Sequence, residues 1–472
     1  MGGMGGIGEH KVSEAELIRV CSGATVHSIY SNSSFGWHKR DTYSFIWNAS
    51  TKQYAGYPVF LPSWVHWWWQ SNKIPADQTR AECLAKLKAF QPRVCRSRHV
   101  SVSGHERSIR PWAPGHAPSQ THGTLLLSTN LKGASFYHSF YESLSSLAFV
   151  VPSLWISPQQ SLPQDIRVAD NVCTFVDSKT RDSHSSCPDG KPLPLVAALW
   201  ELMGVSTTQL VDYSSTRRLP ALRNATVHAR TLLYDCSNAN PRGYWHIMEL
   251  RRLLHHRLLP GPAAPTRHVL MVSRAGPCKT CSGGISKSGR GVAREEQIRW
   301  ALEGQWALKV LRADEQPLVE QLRLFHEAKL VVGPHGAAES LYIFCQRGTP
   351  VVEYVHQYAY TNSGLYVGYA HMFGLPYWAV VSAHGSGQYI IDPADVVLTV
   401  RAALGDVSAT TIDRLIADAP VYQVHGCQDS LNCFEGCCHF PCCPTGLLER
   451  TSPWHGSRAP GTVSHKGGFL QP

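Results

Sequence analysis

Residues 330–355, LVVGPHGAAESLYIFCQRGTPVVEYV, constrain the fold of this chain more than any other stretch. The short β-branched run Leu330-Val331-Val332 has the composition of a buried parallel strand. It stops at Gly333-Pro334, and a helical spacing opens at once, with Ala337, Leu341 and Phe344 on one face. A second strand, Val351 to Val355, follows Gly348-Thr349-Pro350. Backbone N–H groups at the start of such a helix lack partners and suit an anion, phosphate above all. Gly336, with small Ala337 and Ala338, lets a ligand approach the backbone, and His335 at the lip of the turn can donate to an oxygen. Glu353 lies towards a strand end, where open α/β sheets hold ligands, and its carboxylate can accept two hydrogen bonds from a ribose. A glycine turn of purely steric purpose fits the same spacing.

The surrounding chain repeats the pattern. Leu259 to Pro265, LPGPAAP, reads as a linker, and His268 to Ser273 as a buried strand ending in Ser273-Arg274. A Gly/Ser/Lys-rich loop, 276–292, carries Arg290. A helix from Arg294 to Leu302, a strand around Leu308 to Leu311 and a helix from Leu318 to Ala328 lead back to the glycine turn. Beyond it, Leu365 to Phe373 reads as helix, Tyr377 to Ser382 as strand, and Asp392 as the cap of a last helix. Strands and helices alternating in this way predict a doubly wound parallel sheet.

GPHGAAESLYIF resembles the hallmark of glycosyltransferase family 61, a strand running into G-x-H-G-A, a helix and then Phe. Further marks occur in the family's order: Ser273-Arg274 at a strand end, Arg290 ahead of a helix, Gln321 in the helix before the turn, Glu353 in the strand after it. The sequence departs from the family pattern at Glu339, Ser340 and Leu341, and a carboxylate at 339 would repel a phosphate unless its side chain turns away. The resemblance implies an α/β protein of GT-B type, two Rossmann-like domains facing across a cleft, with a parallel sheet in the carboxy-terminal one. It implies an inverting transferase that takes a nucleotide-sugar, a UDP-sugar, to a hydroxyl of a protein or polysaccharide acceptor. Ser273, Arg274, Arg290, Gln321, Gly333, His335, Gly336, Ala337, Ala338 and Glu353 would then be donor-binding. Arginine suits a diphosphate because its planar fork donates two parallel hydrogen bonds.

On the amino-terminal side, GASFYHSFYESLSSLAFVV at 133–151 reads as a helix with His138 and Glu142 one turn apart on one face. A carboxylate beside an imidazole raises its basicity, so the pair is the candidate general base; a solvated surface pair is the alternative. Phe136-Tyr137-His138 also resembles the aromatic-His helix start of the family. Thr124 to Ser128 and Arg230 to Tyr234 read as strands, Val172 to Val176 as another, and Leu193 to Met203 as a helix stopped by Gly204. In the helix from Trp245 to Leu259, Arg251, Arg252, His255, His256 and Arg257 read as a solvated face. Residues 71–95 read as helix, 96–123 as a basic loop, and the tryptophans Trp64, Trp67, Trp68 and Trp69 as core.

These readings divide the 472 residues into an extension and start of the acceptor domain (1–123), an acceptor-side α/β domain (124–258), the linker (259–265), a donor domain (266–405) and a tail (406–472). The tail carries CQDSLNCFEGCCHFPCC at 427–443, whose spacing suits disulfides or disorder rather than zinc; Cys278 and Cys281 read as a loop pair. Net charge +10 suits an acidic ligand such as a nucleotide-sugar, and without a long Lys/Arg run it does not point to nucleic acid. No apolar run approaches the ~18 residues of a membrane span. The start, MGGMGGIGEHKVSEAEL, lacks the order of a signal peptide, so a membrane anchor or leader requires an incomplete amino terminus. The 15 cysteines and the sequons at Asn32, Asn48 and Asn224 favour the endoplasmic reticulum or Golgi lumen; a genuine start favours the cytoplasm. No D-x-D stands at a strand end, so no metal cofactor is expected. A dinucleotide oxidoreductase would need G-x-G-x-x-G after a strand, which is missing. A non-catalytic sugar-binding member of the fold is the rival reading, on account of Glu339 and Leu341.

Overall fold

The computed structural model describes residues 26–30, 46–48, 53–55, 93–103, 108–112, 121–128, 136–151, 160–170, 174–176, 183–185, 192–211, 226–236, 244–259, 261, 265–275, 291–313, 315–356, 366, 369–370, 372–382, 388–389 and 391–408. Arg290, the tryptophan cluster, residues 71–92 of the helix expected at 71–95, Cys278, Cys281 and the cysteine tail lie outside them, as do the side chains of all three sequon asparagines; the far end of that expected helix is corrected, since Val94 and Cys95 open the strand Val94–Ser103.

The carboxy-terminal sheet has six strands in the order Val26–Tyr30, Tyr377–Ser382, Val351–His356, Ala328–Pro334, His268–Val272, Leu308–Leu311. Every neighbouring pair is parallel. Such strands are buried on both faces, and the alternation of side chains shows how. Val269, Met271, Leu330, Val332 and Val352 pack on one side with Ile298 and Leu302 of the helix Glu295–Glu303 and Val396 and Val400 of the helix Pro393–Ala403. Leu270, Val272, Val331 and Val351 pack on the other with Leu322 and Phe325 of the helix Leu318–His326. The expected parallel sheet is present. Its first edge strand, however, comes from residues 26–30, assigned from sequence to the amino-terminal part.

The second sheet is mixed, in the order Leu210–Val211, Ile166–Ala169, His122–Leu127, Thr226–Asp235, Val94–Ser103, Ser108–Pro111. The first four strands run parallel, Val94–Ser103 runs against them, and Ser108–Pro111 pairs antiparallel to Val94–Ser103. The basic loop expected at 96–123 is therefore replaced in part by two strands. The strand changes surroundings along its length rather than from face to face: Arg96 and Arg98 share the parity of Val100 and Val102, yet the first two are exposed and the last two buried, with His99 at φ 49° between them. A disulfide, Cys95–Cys236, fastens this strand to Thr226–Asp235. The sheet strand near 170 is Ile166–Ala169; Thr174–Val176 instead pairs with Ser183–Ser185 in a small hairpin.

One hydrophobic cluster joins the two sheets, running from Leu126 and Val168 through Tyr141, Trp200 and Leu250 to Phe325, Leu270 and Val331. The helix Tyr244–Leu258 lies within it. Its basic face is only partly solvated, contrary to expectation. Arg251 donates to the Cys345 carbonyl (2.8 Å), His255 hydrogen-bonds the Ile343 carbonyl (2.9 Å), and Arg257 donates to the carbonyls of Leu202 (2.8 Å) and Gln160 (2.7 Å). Among the described residues no helix is long and apolar enough to cross a membrane.

Candidate active site

The glycine turn joins the strand Ala328–Pro334 to a helix, Ala337–Phe344, of 3-10 rather than α form. Two glycines are there for space. A Cβ at Gly333 would meet Val272 Cβ at 2.7 Å, where the adjacent strands run close. At Gly336 the backbone is extended, so no unusual conformation demands glycine; instead a Cβ would fall 1.4 Å from Nη2 of Arg274. The Arg274 guanidinium thus lies directly on the turn. Its own backbone N–H donates to Glu295 Oε1 (3.3 Å), and Ser273 Oγ accepts from the Ala275 N–H (3.1 Å). Burial holds the Glu295 carboxyl above its usual range, against the hydrogen bonds from Ser273 and Arg274. Ser273 and Arg274 are therefore set beside the turn by a buried acid at the start of the next helix. Ala337 and Ala338 keep partial exposure.

His335 and Glu353 do not stand as the sequence suggested. The strands pair Gly333 with Glu353, and the His335 N–H donates to the Tyr354 carbonyl (3.0 Å), so the histidine and the carboxylate meet. His335 Nδ1 is hydrogen-bonded to Glu353 Oε1, and the Tyr377 hydroxyl donates to Glu353 Oε2. Glu353 is fully buried with both oxygens engaged, a correction to its expected place against a ribose. Gln321 is corrected too: buried, it donates from Nε2 to the carbonyls of Ala313 (2.9 Å) and Gln316 (2.8 Å), bracing the loop before its helix.

Glu339 turns inward and back onto the turn. Its Oε2 accepts from the Gly336 N–H (3.1 Å) and its Oε1 from the Tyr342 hydroxyl (2.8 Å). One helix-start donor expected to face an anion is thereby capped from within. Burial, then the charge of Glu353, pushes the Glu339 carboxyl well above its ordinary range, against Tyr342, Gly336 and Arg274. His335, Glu339 and Glu353 each bring one potential ligand atom within 4.8 Å of the others, a set that could hold a metal ion. Both carboxylates already accept hydrogen bonds from protein donors.

The helix with His138 docks on this turn. The chain is α-helical over Phe136–His138, π-helical over Ser139–Leu144 and α-helical again over Ser145–Leu147. His138 Nδ1 and Glu142 Oε1 lie 2.6 Å apart, at 19% and 14% side-chain exposure, so the pair forms as expected and reaches solvent. Tyr141 donates to the Ser340 carbonyl (2.7 Å) and stacks on Tyr369 at 4.1 Å; the hydroxyls of Tyr137 and Tyr369 are 3.0 Å apart. Ring contacts run from His138 to Tyr137, to Tyr366 and on to His335. Sequence reasoning did not find Tyr366, Tyr369 or Tyr377. Their only local signal is a tyrosine-rich stretch after the last site strand.

A strand-end arginine on a glycine turn, a buried histidine beside it and a docked His–Glu helix match the order of marks noted above. The model of the family Glycosyltransferase 61 matches residues 136–352. That match supports glycosyltransferase family 61 for this chain. No curated protein matches the chain. The matched span opens at the helix with His138, takes in Arg274 and the whole turn, and closes one residue before Glu353.

Proposed function

We propose that this chain is a glycosyltransferase that moves a sugar from a UDP-sugar to a hydroxyl of a protein or polysaccharide acceptor, with inversion at the anomeric carbon. The observation that carries the reading is the seat of Arg274 against Gly336, beside His335, on the turn to which the helix bearing His138–Glu142 is docked through Tyr141. In this reading the sheet units form the two halves of a GT-B enzyme, and the carboxy-terminal half holds the donor. Arg274 and His335 offset charge on the leaving diphosphate. Glu142 holds His138 at Nδ1, so Nε2 takes the hydroxyl proton as the acceptor oxygen bonds the anomeric carbon and the bond to the diphosphate oxygen breaks. UDP leaves with that bonding pair. Ser273, Ala337, Ala338 and Arg290 complete the donor side. No metal is required, and nucleic acid is not a partner. The disulfide Cys95–Cys236 supports placement in the endoplasmic reticulum or Golgi lumen.

Calorimetry with UDP tests the donor site. Micromolar binding by the parent, strongly weakened but still measurable in Arg274→Ala and His335→Ala, is expected, with turnover of a UDP-sugar lost in His138→Ala. Chelation should leave turnover intact; loss with chelator and recovery with manganese would assign His335, Glu339 and Glu353 to a metal instead. Glu339 favours a second reading, a sugar- or nucleotide-binding protein without turnover, because its carboxylate already takes the Gly336 N–H. A folded parent that binds UDP but turns over no UDP-sugar, beside a Glu339→Leu variant that gains turnover, would establish that reading.

A further inference from the structure

We infer that Glu353 is a positioning residue, which acts on the donor through His335 and makes no contact with the nucleotide itself. This rests on the donor site proposed above. Glu353 lies on a central strand and shows no side-chain exposure, whereas His335 keeps 8%, so a ligand at the turn can reach the imidazole and not the carboxylate. An ionised carboxylate only accepts hydrogen bonds, so the ring nitrogen facing it carries the proton. That fixes His335 with hydrogen on Nδ1 and leaves Nε2 as the nitrogen that accepts in the neutral ring and donates in the imidazolium. Tyr377 keeps the carboxylate in place by donating to its second oxygen from the neighbouring strand, where Glu353 pairs with Ala379. Arg274 reaches the turn independently, over Gly336. Among the described residues, the charged groups at His335 include Glu353 at Nδ1, Glu339 at 3.9 Å and Arg274 over the next residue.

The test compares the parent, Glu353→Gln, His335→Ala and the double variant. Two probes, UDP and inorganic pyrophosphate, separate the ribose from the diphosphate. Glu353→Gln should weaken both probes by the same factor, about tenfold. The double variant should bind no more weakly than His335→Ala, because the two residues act as one unit. Selective loss of UDP with pyrophosphate unaffected, or additive losses in the double variant, would return Glu353 to the ribose and overturn the inference. Nitrogen NMR of the His335 ring needs no ligand. Hydrogen on Nδ1 in the parent, with a preference altered in Glu353→Gln and in the milder Tyr377→Phe, supports the inference; hydrogen on Nε2 alone in the parent overturns it. A parent that binds neither probe but keeps hydrogen on Nδ1 would sink the donor site and leave the His335–Glu353 arrangement standing.

Discussion

At the scale of single residues, charge buried near the turn makes stability depend on pH in two opposite directions. His255, half enclosed between Arg251 and the Ile343 carbonyl, is lowered to about 4, chiefly by burial and then by Arg251. The unfolded chain takes up this proton near its ordinary value, so stability falls as pH drops from about 6.5 to about 4, by at most ~3 kcal/mol. Urea midpoints across that window should decline less in His255→Gln than in the parent. Glu339 has the reverse sign. Its folded value is raised, so its contribution is full below the ordinary carboxyl range and is lost as pH climbs through the folded value. Glu339→Gln should therefore flatten the profile on the alkaline side, and an unchanged slope there would show that Glu339 is ionised at no cost. Gly336→Ala acts by shape alone. Its methyl group needs the space of the Arg274 guanidinium, which is the end of a flexible side chain and can move away. The expected result is a normal circular dichroism spectrum with UDP affinity reduced as far as in Arg274→Ala.

At the scale of elements, the helix with His138 is held to the turn by hydroxyls rather than by its own chain neighbours. Tyr141 reaches the Ser340 carbonyl across 199 residues of sequence and Tyr137 reaches Tyr369 across 232. Tyr141→Phe keeps the stacked ring and removes one buried hydrogen bond, leaving the Ser340 carbonyl short of a donor. A loss of about 1–2 kcal/mol in stability follows. With His138 no longer fixed against the donor side, kcat should fall while KM for the donor stays near the parental value; a change confined to KM would argue against a positioning role for this contact. The same helix shows what sequence can and cannot reveal. Its existence and the His138–Glu142 pair follow from a four-residue spacing, which is local. So do the strands His268–Val272 and Ala328–Pro334, whose apolar runs need only a buried place. The partners of His335 are not local. Glu353 meets it because the two strands pair Gly333 with Glu353, and no property of either segment alone sets that register. The inward turn of Glu339 depends likewise on Tyr342 and on a turn already folded. Gln321 was misread because a buried amide and a ligand-binding one look alike in sequence.

At the scale of the whole molecule, the two sheets cannot be treated as separately stable bodies. Their common cluster takes side chains from the sheet of Leu126 and Val168, from the helices Pro194–Leu202 and Tyr244–Leu258, and from the sheet of Leu270 and Val331. The parallel sheet also needs Val26–Tyr30 for its edge beside Tyr377–Ser382, a strand far upstream of the linker. Residues 266–408 produced alone would expose the face formed by Phe325, Tyr342 and Phe344 and leave the strand Tyr377–Ser382 without its neighbour. Exposed apolar area of that kind and an open sheet edge both drive self-association. The excised segment is expected to aggregate, whereas the full chain should unfold in one transition, with tryptophan fluorescence and calorimetry giving the same midpoint. Two separated transitions, or a monomeric and cooperatively folded 266–408, would mean that the shared cluster is a docking surface between two independent halves. The halves could then open around the turn, and His138 would not be held against the donor side before substrate arrives.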